Sequence, residues 1–132
     1  MIHVAAPVGD IFLLPGPEVV RTATEATTSI VDSAVKLAGP QLQSIVLMSS
    51  TAAVVDLPPK PKRYDEKDWS HGAAEFMADS EAFAKADPVF KAMTAYTAGK
   101  TMSERAFWQK RDELLSTGGN GANISFTALQ AR

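Results

Sequence analysis

Tyr96 and Lys100 stand four residues apart in the run Tyr96-Thr97-Ala98-Gly99-Lys100. On a helix that spacing puts both side chains on one face. An ammonium group beside a phenol favours the phenolate. A phenol in that setting can give its proton to a carbonyl oxygen while hydride arrives at the carbon. Hydride must come from a redox cofactor, because protein side chains do not supply it. Ser50 follows the apolar run Ser44-Ile45-Val46-Leu47-Met48. A hydroxyl at the C-terminal end of such a strand is placed to hold the same oxygen, and in open α/β sheets ligands gather at that edge. Ser49 is the neighbouring hydroxyl. Taken alone, Tyr-x-x-x-Lys equally describes a surface tyrosine beside a surface lysine. The order of the segments lifts it above that: a strand ending in serines, a long loop, then the tyrosine helix.

The elements that must position these groups follow from pattern. Ile2 to Ala5 is a short apolar run ending at Pro7 and Gly9, and predicts a buried strand. Pro15-Gly16-Pro17 marks a turn, and Glu18 suits a helix N-terminus. Val19, Val20, Ala23, Ala26, Ile30, Val31, Ala34 and Leu37 continue at helical spacing until Gly39-Pro40. Thr22, Thr24, Thr27 and Thr28 weaken that helix, so packing must hold it. The run Ser44–Met48 is apolar without alternation, which predicts a strand covered on both faces. Pro58, Pro59 and Pro61 open a long loop, and its Arg63–Trp69 part is charged. Ala73 to Lys85 predicts a short helix. Asp87-Pro88 reads as an N-cap followed by proline in the first turn. From there Val89, Phe90, Met93, Thr97, Phe107, Trp108, Leu114 and Leu115 form an apolar stripe to about Ser116, stopped by Gly118-Gly119-Asn120-Gly121. Ile124 to Leu129 predicts a last strand. Strands of this kind alternating with helices imply parallel pairing.

Bulk properties narrow the classes. The 132 residues suffice for one domain, 45% of them are hydrophobic, and net charge is −2. That balance argues against nucleic acid or an anionic membrane as partner, and Lys60, Lys62 and Arg63 are too few for a basic patch. The run Ile11 to Leu14 is too short to span a bilayer, and the N-terminus has no secretory pattern. There are no cysteines. Thiolate metal sites are thereby excluded, and a reducing compartment such as the cytoplasm fits. No metal site is expected: His3 has no second histidine near it in sequence, His71 lies in a polar loop, and Asp65, Glu66 and Asp68 lack calcium-loop spacing.

Four segments in order resemble the extended short-chain dehydrogenase/reductases of the epimerase/dehydratase superfamily. The match is to the branch of dihydroflavonol, cinnamoyl-CoA and fungal ketone/aldehyde reductases. His3-Val4-Ala5-Ala6-Pro7 is similar to the family's turn beside the cofactor. Ile45-Val46-Leu47-Met48-Ser49-Ser50-Thr51-Ala52-Ala53-Val54 is similar to its serine strand, and Arg63-Tyr64-Asp65-Glu66-Lys67-Asp68-Trp69 to its acidic-tryptophan loop. The run from Tyr96 to Trp108 is similar to its catalytic helix. The resemblance implies an α/β fold over residues 1–132: one partial, Rossmann-like, doubly wound parallel sheet in the order strand-helix-strand-helix-strand. It implies NADP or NAD as cofactor and a small ketone or aldehyde as substrate. It gives Ser50 the role of orienting the carbonyl, Tyr96 that of acid, and Lys100 that of touching both phenol and nicotinamide ribose. Ala5, Ala6 and Pro7 would lie against the cofactor.

The departures are as informative. No glycine-rich strand-to-helix turn occurs in the sequence to cradle a pyrophosphate, and the family's nicotinamide-covering and substrate-pocket segment is absent. Glu25-Ala26 stands where the family commonly has Asn-Gly, and Gly99 where it commonly has serine. Two other readings follow. One is a truncated, inactive remnant that self-associates through an open sheet face or its helices. The other, ranked lower, is an epimerase or dehydratase of the same superfamily.

Overall fold

The computed structural model describes residues 1–6, 14–118 and 120–131. Three strands form one sheet in the order β1 (Ile2–His3), β2 (Ser44–Ser50), β3 (Ser125–Ala131). Both pairings are parallel, with His3 opposite Leu47 and Ser49 opposite Gln130. The fold is α/β with the parallel sheet expected of a partial Rossmann-like domain. Helix α1 (Gly16–Leu37) links β1 to β2. Short helices α2 (Gly72–Ala78) and α3 (Ser80–Lys85) and long helix α4 (Pro88–Thr117) lie between β2 and β3.

Helix α4 begins where the sequence signals it. The Asp87 carboxylate accepts from the Phe90 amide at 3.0 Å, and Gly118 closes the helix in the left-handed region at φ 65°. The threonines of α1 bond within the helix: Thr24 Oγ1 donates to the Val20 carbonyl at 2.8 Å and Thr27 Oγ1 to that of Ala23 at 3.1 Å. The helix buries a narrow stripe, Val19, Ala23, Thr27 and Val31, against α4 and the sheet. The core gathers Val31, Ile45, Leu47, Phe107 and Ile124, flanked by Val35, Leu42, Trp108 and Phe126.

Five expectations need correction. Strand β1 stops at His3, because Val4 and Ala5 already turn outward. The last strand is Ser125–Ala131, not Ile124–Leu129: Ile124 belongs to the buried turn that precedes it. The Ala73–Lys85 segment is two helices, broken at Asp79, whose carboxylate caps the second through the Ala82 amide at 3.0 Å. On α4, Val89, Met93 and Leu115 are exposed, while Ala92, Ala95, Ala98 and Gly99 are buried. Two helices crossing closely demand small side chains at the seam, and a Cβ built on Gly99 would meet Ala23 Cβ at 3.7 Å.

The fifth correction concerns coverage of the sheet. Strand β2 alternates, with Ile45, Leu47 and Ser49 buried under the helices and Val46 and Met48 only half-buried. On that second face Ile2 and Leu129 remain largely exposed. Among the described residues only one face of the sheet is covered.

Candidate active site

In a parallel sheet all strands end on one edge, and here that edge carries Ala5 and Ala6 beyond β1, Ser50 closing β2, and Gln130 and Ala131 closing β3. Ser50 is extended, at φ −151° and ψ 151°, and the chain then tightens into the single turn Thr51–Ala53. The Ser50 hydroxyl accepts from the Ala52 amide at 3.2 Å. The turn is held from two sides: Thr101 Oγ1 donates to the Ala53 carbonyl at 3.3 Å, and the Ser70 amide donates to the same oxygen at 2.9 Å.

Helix α4 brings Lys100 to this edge. Its ammonium donates to the Met48 carbonyl at 3.2 Å, two residues before Ser50. Tyr96 is half-buried one helical turn earlier, on the same face of α4. Lys100 also makes itself felt at His3, a buried side chain of β1. Burial first, and the Lys100 charge second, hold the His3 imidazole below its ordinary value of 6.5. His3 Nε2 lies 3.4 Å from Thr27 Oγ1, which in turn lies 2.6 Å from Ser103 Oγ on α4. This buried polar chain stitches β1, α1 and α4 together directly behind the edge.

Ala5 is exposed and Ala6 half-buried at the end of β1, both on the edge where Ser50 stands, while Pro7 lies outside the described residues. The Arg63–Trp69 loop carries its own bonds. The Asp68 carboxylate accepts from the Asp65 amide at 2.9 Å, Asp65 Oδ1 accepts from the Lys67 amide at 2.8 Å, and the Arg105 guanidinium lies 5.8 Å over the Trp69 ring. With Tyr64, Thr51, Val54 and Trp108, Trp69 walls an open cleft of about 780 Å³ that runs from the strand end along α4.

Sequence reasoning passed over Glu104, which is 4% exposed. The Ser49 hydroxyl donates to Glu104 Oε2. Gln130 Nε2 donates to both oxygens, at 3.0 and 2.8 Å, and Trp108 Nε1 donates to Oε1 at 3.3 Å. The available signal was its place one turn beyond Lys100 and one turn before Trp108. A glutamate in a helix otherwise reads as solvent-facing. The network separates the two serines: the Ser49 hydroxyl is committed to Glu104, whereas the Ser50 hydroxyl, also buried, accepts from the Ala52 amide.

The parallel sheet and the helix layer packed on it define a partial Rossmann-like α/β domain. The chain is similar to yeast methylglyoxal/isovaleraldehyde reductase Gre2, solved in complex with NADPH, at 26% identity and a TM-score of 0.67 over 98% of its own length. It is also similar to a reductase engineered to attenuate substrate inhibition in asymmetric catalysis, at 22% identity and a TM-score of 0.67, a likeness of fold. The chain spans about a third, 34%, of the length of either reductase. No protein-family model and no curated protein matches the sequence.

Proposed function

We propose that this chain supplies the proton-transfer part of an NADP(H)-dependent reductase acting on a small ketone or aldehyde. The observation that carries the reading is the Lys100 ammonium on the Met48 carbonyl, which sets the tyrosine helix against the strand end that bears Ser50. In this reading Ser50 donates a hydrogen bond to the substrate carbonyl oxygen, and Tyr96 gives that oxygen its proton. Lys100 steadies the charge left on the phenol and reaches the ribose beside the nicotinamide. The yeast neighbour binds NADPH. When bound, the nicotinamide supplies hydride to the carbonyl carbon.

The fit to the dinucleotide is one-sided. The edge offers an ammonium, an exposed Ala5 and a half-buried Ala6 to a flat ring and its ribose. No glycine-rich strand-to-helix turn occurs in the sequence for the pyrophosphate. The reading therefore rests on the nicotinamide end alone. Gly99, where the family has serine, is compatible with it, because a Cβ there would make contacts of 3.7 to 3.9 Å, which are ordinary.

The test is a chimera in which this chain replaces the matching third of the yeast reductase. It should reduce methylglyoxal or isovaleraldehyde with NADPH. Tyr96→Phe should lower turnover by about 10²- to 10⁴-fold with NADPH affinity kept, and Lys100→Ala should damage both. A chimera that binds NADPH yet turns over normally as Tyr96→Phe would move the proton to another group. A folded chimera with neither binding nor turnover would favour the inactive remnant.

A further inference from the structure

Glu104 is buried without an ion pair among the described residues. A carboxylate in that position is tolerated when hydrogen bonds replace its water. Here the donors come from all three elements that meet at the site: Ser49 of β2, Gln130 of β3 and Trp108 of α4 itself. Ser49 and Gln130 are register partners in the sheet, so the carboxylate closes a bracket across the next-to-last rung of the β2–β3 ladder, beside the rung of Ser50 and Ala131. Both oxygens accept hydrogen bonds from the chain itself, so the group ties these elements together where it borders the cleft. Ser50 is the next residue, and its hydroxyl hangs on the turn that begins there.

We infer that Glu104 is a positioning residue, which fixes the C-terminal end of β2 against β3 and α4 and thereby sets where the Ser50 hydroxyl stands. The inference rests on the proposed role of Ser50. It does not make Glu104 touch substrate.

The experiment is backbone amide hydrogen exchange on the full 132-residue chain, which needs neither cofactor nor turnover. The amides that report are Ala52, bonded to Ser50 Oγ, and Val54 and Val55, both bonded to the Thr51 carbonyl. In Glu104→Gln the new amide turns a donor toward Gln130 and Trp108. Exchange at those three amides is expected to quicken about tenfold or more, the size of one hydrogen bond to a charged group. Amides of Ala23 and Val31 in α1 should change less than about twofold. The double variant Glu104→Gln with Gln130→Glu restores one acceptor facing one amide, and should recover most of the protection. Equal quickening along the whole chain would mean that Glu104 only glues the core and would overturn the inference. So would unchanged exchange at Ala52, Val54 and Val55, or a double variant without recovery. Ser50→Ala in the chimera tests the role of Ser50 separately, so failure of one reading is told apart from failure of the other.

Discussion

Replacing Phe107 by alanine should loosen the clamp that holds α4 on the sheet. Phe107 is 0% exposed, with its ring centroid 5.3 Å from that of Trp108 and 5.0 Å from that of Phe126. It packs in the cluster of Val31, Ile45, Leu47 and Ile124, which draws on α1, β2 and the turn before β3. Truncation of a buried phenylalanine costs about 3–5 kcal/mol, and the spread reflects how far the site collapses. With one sheet face uncovered the strands can settle inward, so about 3–4 kcal/mol is expected here. A domain has about 5–15 kcal/mol in all, and among the described residues only one side of the sheet is buried, so the variant should stand close to its unfolding threshold. The assay is urea unfolding followed by far-ultraviolet circular dichroism. At a slope of about 2 kcal/mol per molar urea, the midpoint should fall by roughly 1.5–2 M. Phe107→Leu, nearer in volume, should cost less than about 1.5 kcal/mol. The exposed Leu115→Ala should stay within about 0.5 kcal/mol. A loss below about 1 kcal/mol for Phe107→Ala would refute the view that this ring anchors α4.

Two further outcomes follow. Burial and the Lys100 charge depress His3 below its unfolded value of 6.5, so the unfolded chain takes up a proton there before the folded one does. Stability should therefore be full above pH 6.5 and decline as pH falls below it; His3→Gln should flatten that limb of a urea-midpoint profile, and an unchanged profile would show that His3 is freely solvated. The open sheet face bears Ile2 at 67% and Leu129 at 47% exposure beside half-buried Val46 and Met48, and a contiguous apolar patch on an uncovered sheet favours association. The chain should show a concentration-dependent mass in sedimentation equilibrium, relieved by Leu129→Lys; a monomer at all concentrations would remove the patch from consideration.

The parts of the fold that were legible in the sequence are those set by local chemistry. Asp87, Pro88 and Gly118 mark the ends of α4 because capping and left-handed backbone depend on a single residue type. Parallel pairing was legible from the alternation of apolar runs with helices, because a crossover leaves no other close arrangement. The seam between α1 and α4 was not, since alanine and glycine carry no hydrophobic signal, while Val89 and Met93 carry one and lie outside. Coverage of β2 was misread for a related reason. A run such as Ile45-Val46-Leu47-Met48 records what the strand is suited to meet on each face, and among the described residues only one face is covered.

The site divides along the same line. Ser50 and Lys100 were singled out by type and spacing as candidates, and the Lys100 ammonium donates to a carbonyl of the strand that Ser50 ends. The preference for Ser50 over Ser49 rested on resemblance alone, and nothing in the order Ser49-Ser50 favours either hydroxyl. What separates them is a bond to a residue 55 positions away. A strand sends successive side chains to opposite sides, so the serine that meets Glu104 and its neighbour face different surroundings. Moving the register by one residue would exchange their fates and carry Ile45 and Leu47 out of the core. The core that buries those two side chains and the carboxylate that captures Ser49 thus enforce the same alignment. The commitment of Ser49 to Glu104 is a property of how β2 sits in the sheet, which no local motif can encode.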